Sequence, residues 1–150
     1  MKIKFITYLF LIFLTSCGYQ PLYSSKGQTF SIGKVEFSGD KYLTSNFEEK
    51  IKRFQDKKND VFDLEVSLNK SKNTIAKDKK GNPSVYSLTI SAVITFKQSG
   101  KDDVIKTFNQ NTSYNNNDNK FDLKRYEKRL STQLLDKVVE DFIFYTQSML

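Results

Sequence analysis

The sequence predicts an α+β fold. A two-layer sandwich is expected, with two helices on one face of a four-stranded, mainly antiparallel sheet, in the order β-α-β-β-β-α. Three observations predict it. Residues 62–69 and 86–96 alternate apolar and polar side chains with the period of a strand. Residues 47–54 and 123–145 repeat apolar side chains at helical spacing. Only one face of each strand is apolar, so one side of the sheet needs a cover and the other is lined largely by Ser, Thr and Asn.

The elements follow in order. Phe30 and Ile32 alternate, then Val35 and Phe37 alternate in the opposite phase, with Gly33 and Lys34 between them. A one-residue phase slip at a glycine predicts a strand carrying a β-bulge. Ser45 followed by Glu48 fits a capping box, and with Phe47, Ile51 and Phe54 it predicts a helix over 45–58. Phe62, Leu64, Val66 and Leu68 mark a half-buried second strand. Residues 70–83 are expected to form a polar, Lys-rich connection closed by the turn signal Gly81-Asn82-Pro83.

The third strand is the strongest. Tyr86, Leu88, Ile90, Ala92, Ile94 and Phe96 line one face, and Ser87, Thr89, Ser91 and Thr95 the other. A turn at Gly100 leads to a more polar strand over 104–114, expected at a sheet edge. After an Asn-rich loop at 115–119, Leu123, Tyr126, Leu130, Leu134, Val138, Phe142 and Tyr145 form a helical stripe. Lys124, Arg125, Lys128 and Arg129 lie among its first turns. Val139, Ile143 and Phe144 fall off the stripe, so this helix end should be deeply packed or meet a partner.

The N-terminal region has a different character. Lys2 and Lys4 precede an uncharged, almost wholly apolar run from Phe5 to Leu14. That run is half the length of about 20 residues that a membrane-spanning helix needs, which suits a signal-peptide core. Leu14-Thr15-Ser16-Cys17 resembles the bacterial lipobox, an aliphatic residue and two small ones before a cysteine. The resemblance implies cleavage before Cys17, lipidation of its sulfur and acylation of its new amine. A thiol suits this chemistry because its thiolate is the most readily alkylated side-chain nucleophile. Gly18, rather than Asp, follows the cysteine, which by the usual pattern does not signal inner-membrane retention. The expected organisation is a signal peptide over 1–16, a lipidated tether over 17–28 and a single domain over 29–150, on the periplasmic side of the outer membrane.

Composition narrows the chemistry. The 150-residue chain has no His, a single Cys and a formal charge of +7, which falls to +5 once Lys2 and Lys4 leave with the signal peptide. Without histidine the commonest general base and metal ligand is missing, and Cys-rich zinc sites are excluded. No phosphate loop, nucleophile elbow or paired-carboxylate motif is present, so neither enzymatic activity nor a cofactor is expected. Glu48-Glu49 and Asp102-Asp103 sit where helix starts and turns ordinarily carry acids. The lysines of the 70–83 connection suit phosphates, and an anionic lipid headgroup suits an envelope protein better than nucleic acid does.

Cys17-Gly18-Tyr19-Gln20-Pro21-Leu22-Tyr23 resembles the start of mature LPS-assembly lipoproteins of the LptE type. In that family a lipidated cysteine is followed by Gly, an aromatic and a short segment with Pro and Leu. The expected element order matches that family across nearly the whole mature chain. The resemblance implies a plug and assembly partner for the outer-membrane β-barrel (LptD-like) that inserts lipopolysaccharide, and contact with lipopolysaccharide itself. The Ser87, Thr89, Ser91 and Thr95 face is suited to a polar barrel lumen, as it is to plain solvent. For the lipid contact the best candidates are Lys77, Lys79 and Lys80, as point charges for lipid A phosphates. The competing expectation is another periplasmic lipoprotein, such as an auxiliary subunit of a phospholipid transporter or a secretin pilot.

Overall fold

A computed structural model describes residues 30–55 and 62–149. Cys17, the signal peptide and the tether lie outside the described residues, as does the expected 56–58 end of the first helix. The order is β1 (Ile32–Gly39), α1 (Lys41–Ile51) with a 3-10 turn at Lys52–Phe54, β2 (Phe62–Lys77), β3 (Pro83–Lys97), β4 (Val104–Asn115) and α2 (Lys120–Ser148). The strands lie side by side as β1-β2-β3-β4. β1 runs parallel to β2, while β2–β3 and β3–β4 are antiparallel hairpins, so the sheet is mixed. A helical crossover is what permits the one parallel pair.

The bulge in β1 is real. Ile32 faces Phe62, and Val35 faces Leu64, so the β1 side of the interval holds one residue more. The extra residue lets Ile32 and then Val35 and Phe37 all share the face of Phe62, Leu64 and Val66.

Gly39 then ends the strand at φ +98°, where a Cβ would lie 2.1 Å from the Leu68 carbonyl oxygen. The next residue opens α1. Asp40 Oδ1 accepts from the backbone N–H groups of Tyr42 and Leu43 at 2.9 and 3.0 Å. The helix therefore starts four residues before the expected Ser45 capping box, and Ser45 is an exposed residue inside it. Asp40 wins because it has the extended backbone and the free carboxylate at the point where the chain leaves the sheet. Leu43, Phe47 and Ile51 form its buried face.

β2 also differs from expectation. The stretch expected as a loop from residue 70 continues as strand to Lys77, paired with β3 from Ser71–Thr89 to Lys77–Pro83 with irregularities near Ala76. Residues 69–77 are all exposed, so no apolar alternation marks them. Pairing with β3, rather than burial, holds them. The turn proper is Asp78–Asn82. Asp78 Oδ1 accepts from the N–H groups of Lys80 and Asn82, each at 2.8 Å, and Gly81 takes φ +84°. The Asn82 N–H above all holds the Asp78 carboxyl below its ordinary range.

Both helices cover the expected face. Phe142 of α2 is fully buried and meets Phe30, Phe47, Phe96 and Phe108 at ring-centroid distances of 5.7 to 6.4 Å. It ties the residue leading into β1, together with α1, β3 and β4, to one point. Burying such a ring contributes about 1.5–3 kcal/mol. Of the apolar residues off the α2 stripe, Val139 and Ile143 are buried, whereas Phe144 is 72% exposed. No described helix is long and apolar enough to cross a membrane.

Candidate functional site

A groove of about 550 Å³ opens between the β2–β3 arm and the first half of α2. Its floor is apolar, with buried Leu88 beneath and the rings of Tyr42 and Phe121 at its sides. Its rim is cationic. Lys70 and Lys72 come from β2, and Lys124, Arg125 and Lys128 from successive turns of α2. Spacings of three and four residues put the latter on adjoining helix faces.

The elements that carry these side chains are fixed locally. Asn119 caps α2, accepting from the N–H groups of Phe121 and Asp122 at 3.1 and 3.2 Å. Ser131 Oγ, at the floor, donates to the Glu127 carbonyl at 2.8 Å. Tyr42 is tied to α2 through a hydroxyl–hydroxyl contact of 3.0 Å with Thr132.

Glu127 is the electrostatic centre of the groove wall. Its Oε1 accepts from Lys72 Nζ and from the Tyr114 hydroxyl, both at 2.6 Å. Burial pushes the Glu127 carboxyl up, but the Lys72 and Tyr114 hydrogen bonds outweigh it and hold it below its ordinary 4.5. Burial, then the hydrogen bond to Glu127, pushes the Tyr114 phenol well above its ordinary 10.0. Lys72 also lies over the Tyr86 ring, 3.8 Å from its centroid.

The cations are unequally compensated. Lys72 has Glu127 at 2.6 Å, Arg125 has Asp122 at 3.0 Å, and Lys70 has only a long approach of 3.9 Å to Asp40. Lys128 lies over the Tyr42 ring at 5.1 Å, and neither it nor Lys124 has a carboxylate partner among the described residues. Uncompensated ammonium groups above an apolar floor bind anions that carry an apolar body. Among the described residues no acidic cluster is arranged to hold a metal ion.

Lys77, Lys79 and Lys80 lie elsewhere. Lys77 is the last residue of β2, opposite Pro83, and Lys79 and Lys80 sit in the turn at the arm's tip, all exposed. They are brought together with one another but do not line the groove. The basic start of α2 is visible in the sequence, but its meeting with Lys70 and Lys72 is not. Tyr42 and Phe121 went unnoticed as site residues, because nothing in a linear pattern places residues 42, 70–72, 88 and 121–128 around one space.

No family model and no curated protein matches the sequence. Solved structures do match the fold. It is similar to rare lipoprotein B from Shewanella oneidensis, with a TM-score of 0.57 and 16% identity, covering 77% of this chain and 98% of that one. It is similar also to a minor lipoprotein from Acinetobacter baumannii, with a TM-score of 0.57 and 12% identity over 75% of this chain and 87% of that one. A lipoprotein B from Nitrosomonas europaea gives a TM-score of 0.55 at 10% identity, over 75% and 79% of the two chains. At these identities the likeness is one of fold.

Proposed function

We propose that the chain is an outer-membrane lipoprotein, anchored through Cys17, that plugs and assists assembly of the β-barrel LPS translocon and contacts lipopolysaccharide. The groove is the observation that carries the lipid part of this reading. A cationic rim over an apolar floor matches a phosphorylated glycolipid, whose phosphates meet Lys124, Arg125 and Lys128 while its apolar part lies against Leu88, Tyr42 and Phe121. Lys77, Lys79 and Lys80, at the tip of the same arm, supply a second set of charges for the same ligand. The lipobox at Leu14–Cys17 and the folds shared with solved bacterial lipoproteins support the anchored role.

Affinity purification from detergent-solubilised outer membrane tests the partner. Recovery of a large β-barrel protein is expected. Recovery of an inner-membrane transporter instead would favour an auxiliary subunit, and no barrel at all would end the plug reading. For the ligand, lipopolysaccharide binding is compared between Lys124→Glu/Lys128→Glu and Lys77→Glu/Lys79→Glu/Lys80→Glu. At least a tenfold loss, about 1.4 kcal/mol, is expected from the groove pair. Unchanged affinity in both variants removes direct lipid contact from the proposal.

A further inference from the structure

We infer that Glu127 controls the groove as an internal competitor. It holds Lys72 away from the ligand, and anion binding passes that lysine from the Glu127 carboxylate to a phosphate of the ligand. This control rests on the groove being the lipid site, as proposed above.

Of the described residues lining the groove, Lys70, Lys72, Lys124, Arg125 and Lys128 are cations and Glu127 alone is a carboxylate. A carboxylate in that place repels the same groups that the cations attract. It also engages one of them. Lys72 Nζ donates to Glu127 Oε1 at 2.6 Å and lies 3.8 Å from the centroid of the Tyr86 ring. Lys72 therefore borders the groove with its charge already answered. Lys124 and Lys128, in contrast, have no carboxylate partner among the described residues.

The two members of the pair are held with unequal firmness. Glu127 Oε1 also accepts from the Tyr114 hydroxyl at 2.6 Å, and Tyr114 is buried, its ring 5.7 Å from Tyr86 and 5.9 Å from Tyr126. The carboxylate is thus tied to β4 by a second bond, and Lys70 is close enough for its charge to act on it. When Lys72 leaves, Glu127 keeps a hydrogen bond and a neighbouring cation, so it is not left unsatisfied. Lys72 is the partner that can move. Its other contacts are ring faces, and it stands on a flexible four-carbon stem in a stretch of β2 whose residues are all exposed.

The exchange favours phosphate. The pair leaves 37% of the Lys72 side chain and 24% of the Glu127 side chain exposed, and ion pairs open to solvent contribute little. A phosphate monoester brings a charge of about −1.5 to −2 and three strong acceptor oxygens, more than one carboxylate offers. Once Lys124 and Lys128 hold it over the groove, it is the stronger partner for Lys72. Glu127 thereby sets a threshold, because a ligand without phosphate leaves Lys72 where it is.

The test is a double-mutant cycle on the full chain, with lipid A and dephosphorylated lipid A in detergent as probes. Glu127→Gln keeps the shape of the side chain and can still accept from Tyr114. It should bind lipid A about three- to tenfold more tightly than the parent chain. In the Lys72→Met background the same substitution should gain at most about twofold. Equal gains with and without Lys72 would mean plain charge repulsion and overturn the exchange. So would a gain for dephosphorylated lipid A as large as that for lipid A. If Glu127→Gln alters the circular dichroism, the parent chain decides. Its Lys72 side-chain amine resonance, identified by its absence in Lys72→Met, should shift on titration with lipid A; a resonance that stays in place overturns the exchange. The two readings fail separately. Affinity that is lost in Lys124→Glu/Lys128→Glu but indifferent to Glu127→Gln removes the competitor and keeps the groove. Affinity indifferent to all of these substitutions removes the groove as the lipid site, and the competitor with it.

Discussion

At Gly39 a single hydrogen atom lets β1 give way to α1. Any Cβ there would meet the Leu68 carbonyl oxygen at 2.1 Å, on a backbone that L side chains rarely adopt. Gly39→Ala should therefore cost at least about 2 kcal/mol, read as a lowered urea midpoint with unchanged slope. Glu127 offers a pH test. Its carboxyl is held below 4.5 by Lys72 and Tyr114, so its contribution is complete above that value and is lost as pH falls through the lower folded one. Between about pH 5 and 3 the stability of Glu127→Gln should fall less steeply than that of the parent chain. Equal slopes in the two proteins would show that Glu127 is not the group responsible. A single residue with a local signature, Gly33 at the bulge, was readable from sequence. Glu127 was not, because its partners Lys72 and Tyr114 come from other elements.

Elements were legible wherever burial wrote a period into them, and obscure where hydrogen bonding alone holds the chain. β3 follows its apolar stripe closely, and α2 follows its own except at Tyr126, which is exposed. β2 was readable to residue 69, where its buried alternation stops, although the strand itself runs on to Lys77. The start of α1 was misplaced because two side chains could cap it, and the choice depends on where β1 ends. Asp40→Ala should lower stability by about 1 kcal/mol, whereas Ser45→Ala, at an exposed interior helical position, should change it by less than about 0.5 kcal/mol. The reverse ranking in thermal denaturation would restore Ser45 as the cap. Phe142→Ala, which empties the point where four elements meet, should cost about 3–5 kcal/mol and shift the melting transition accordingly.

For the molecule as a whole, the sandwich and its element order follow from the sequence because each strand offers one apolar face. The parallel β1–β2 pair and the groove depend on packing that no linear pattern records. Anchoring is tested by metabolic labelling: Cys17→Ala should take up no palmitate, and labelling that persists would remove the lipobox. The parallel pairing has a mechanical consequence. Ile32, at the start of β1, stands beside Phe62 at the start of β2, while the lysine-tipped turn lies at the far end of that 16-residue strand. At about 3.3 Å per residue the two ends are some 50 Å apart. Chain entry and lysine tip thus occupy opposite poles of a stiff ribbon. The positive tip is carried like the end of a boom, extended well away from the edge of the sheet where β1 and β2 begin.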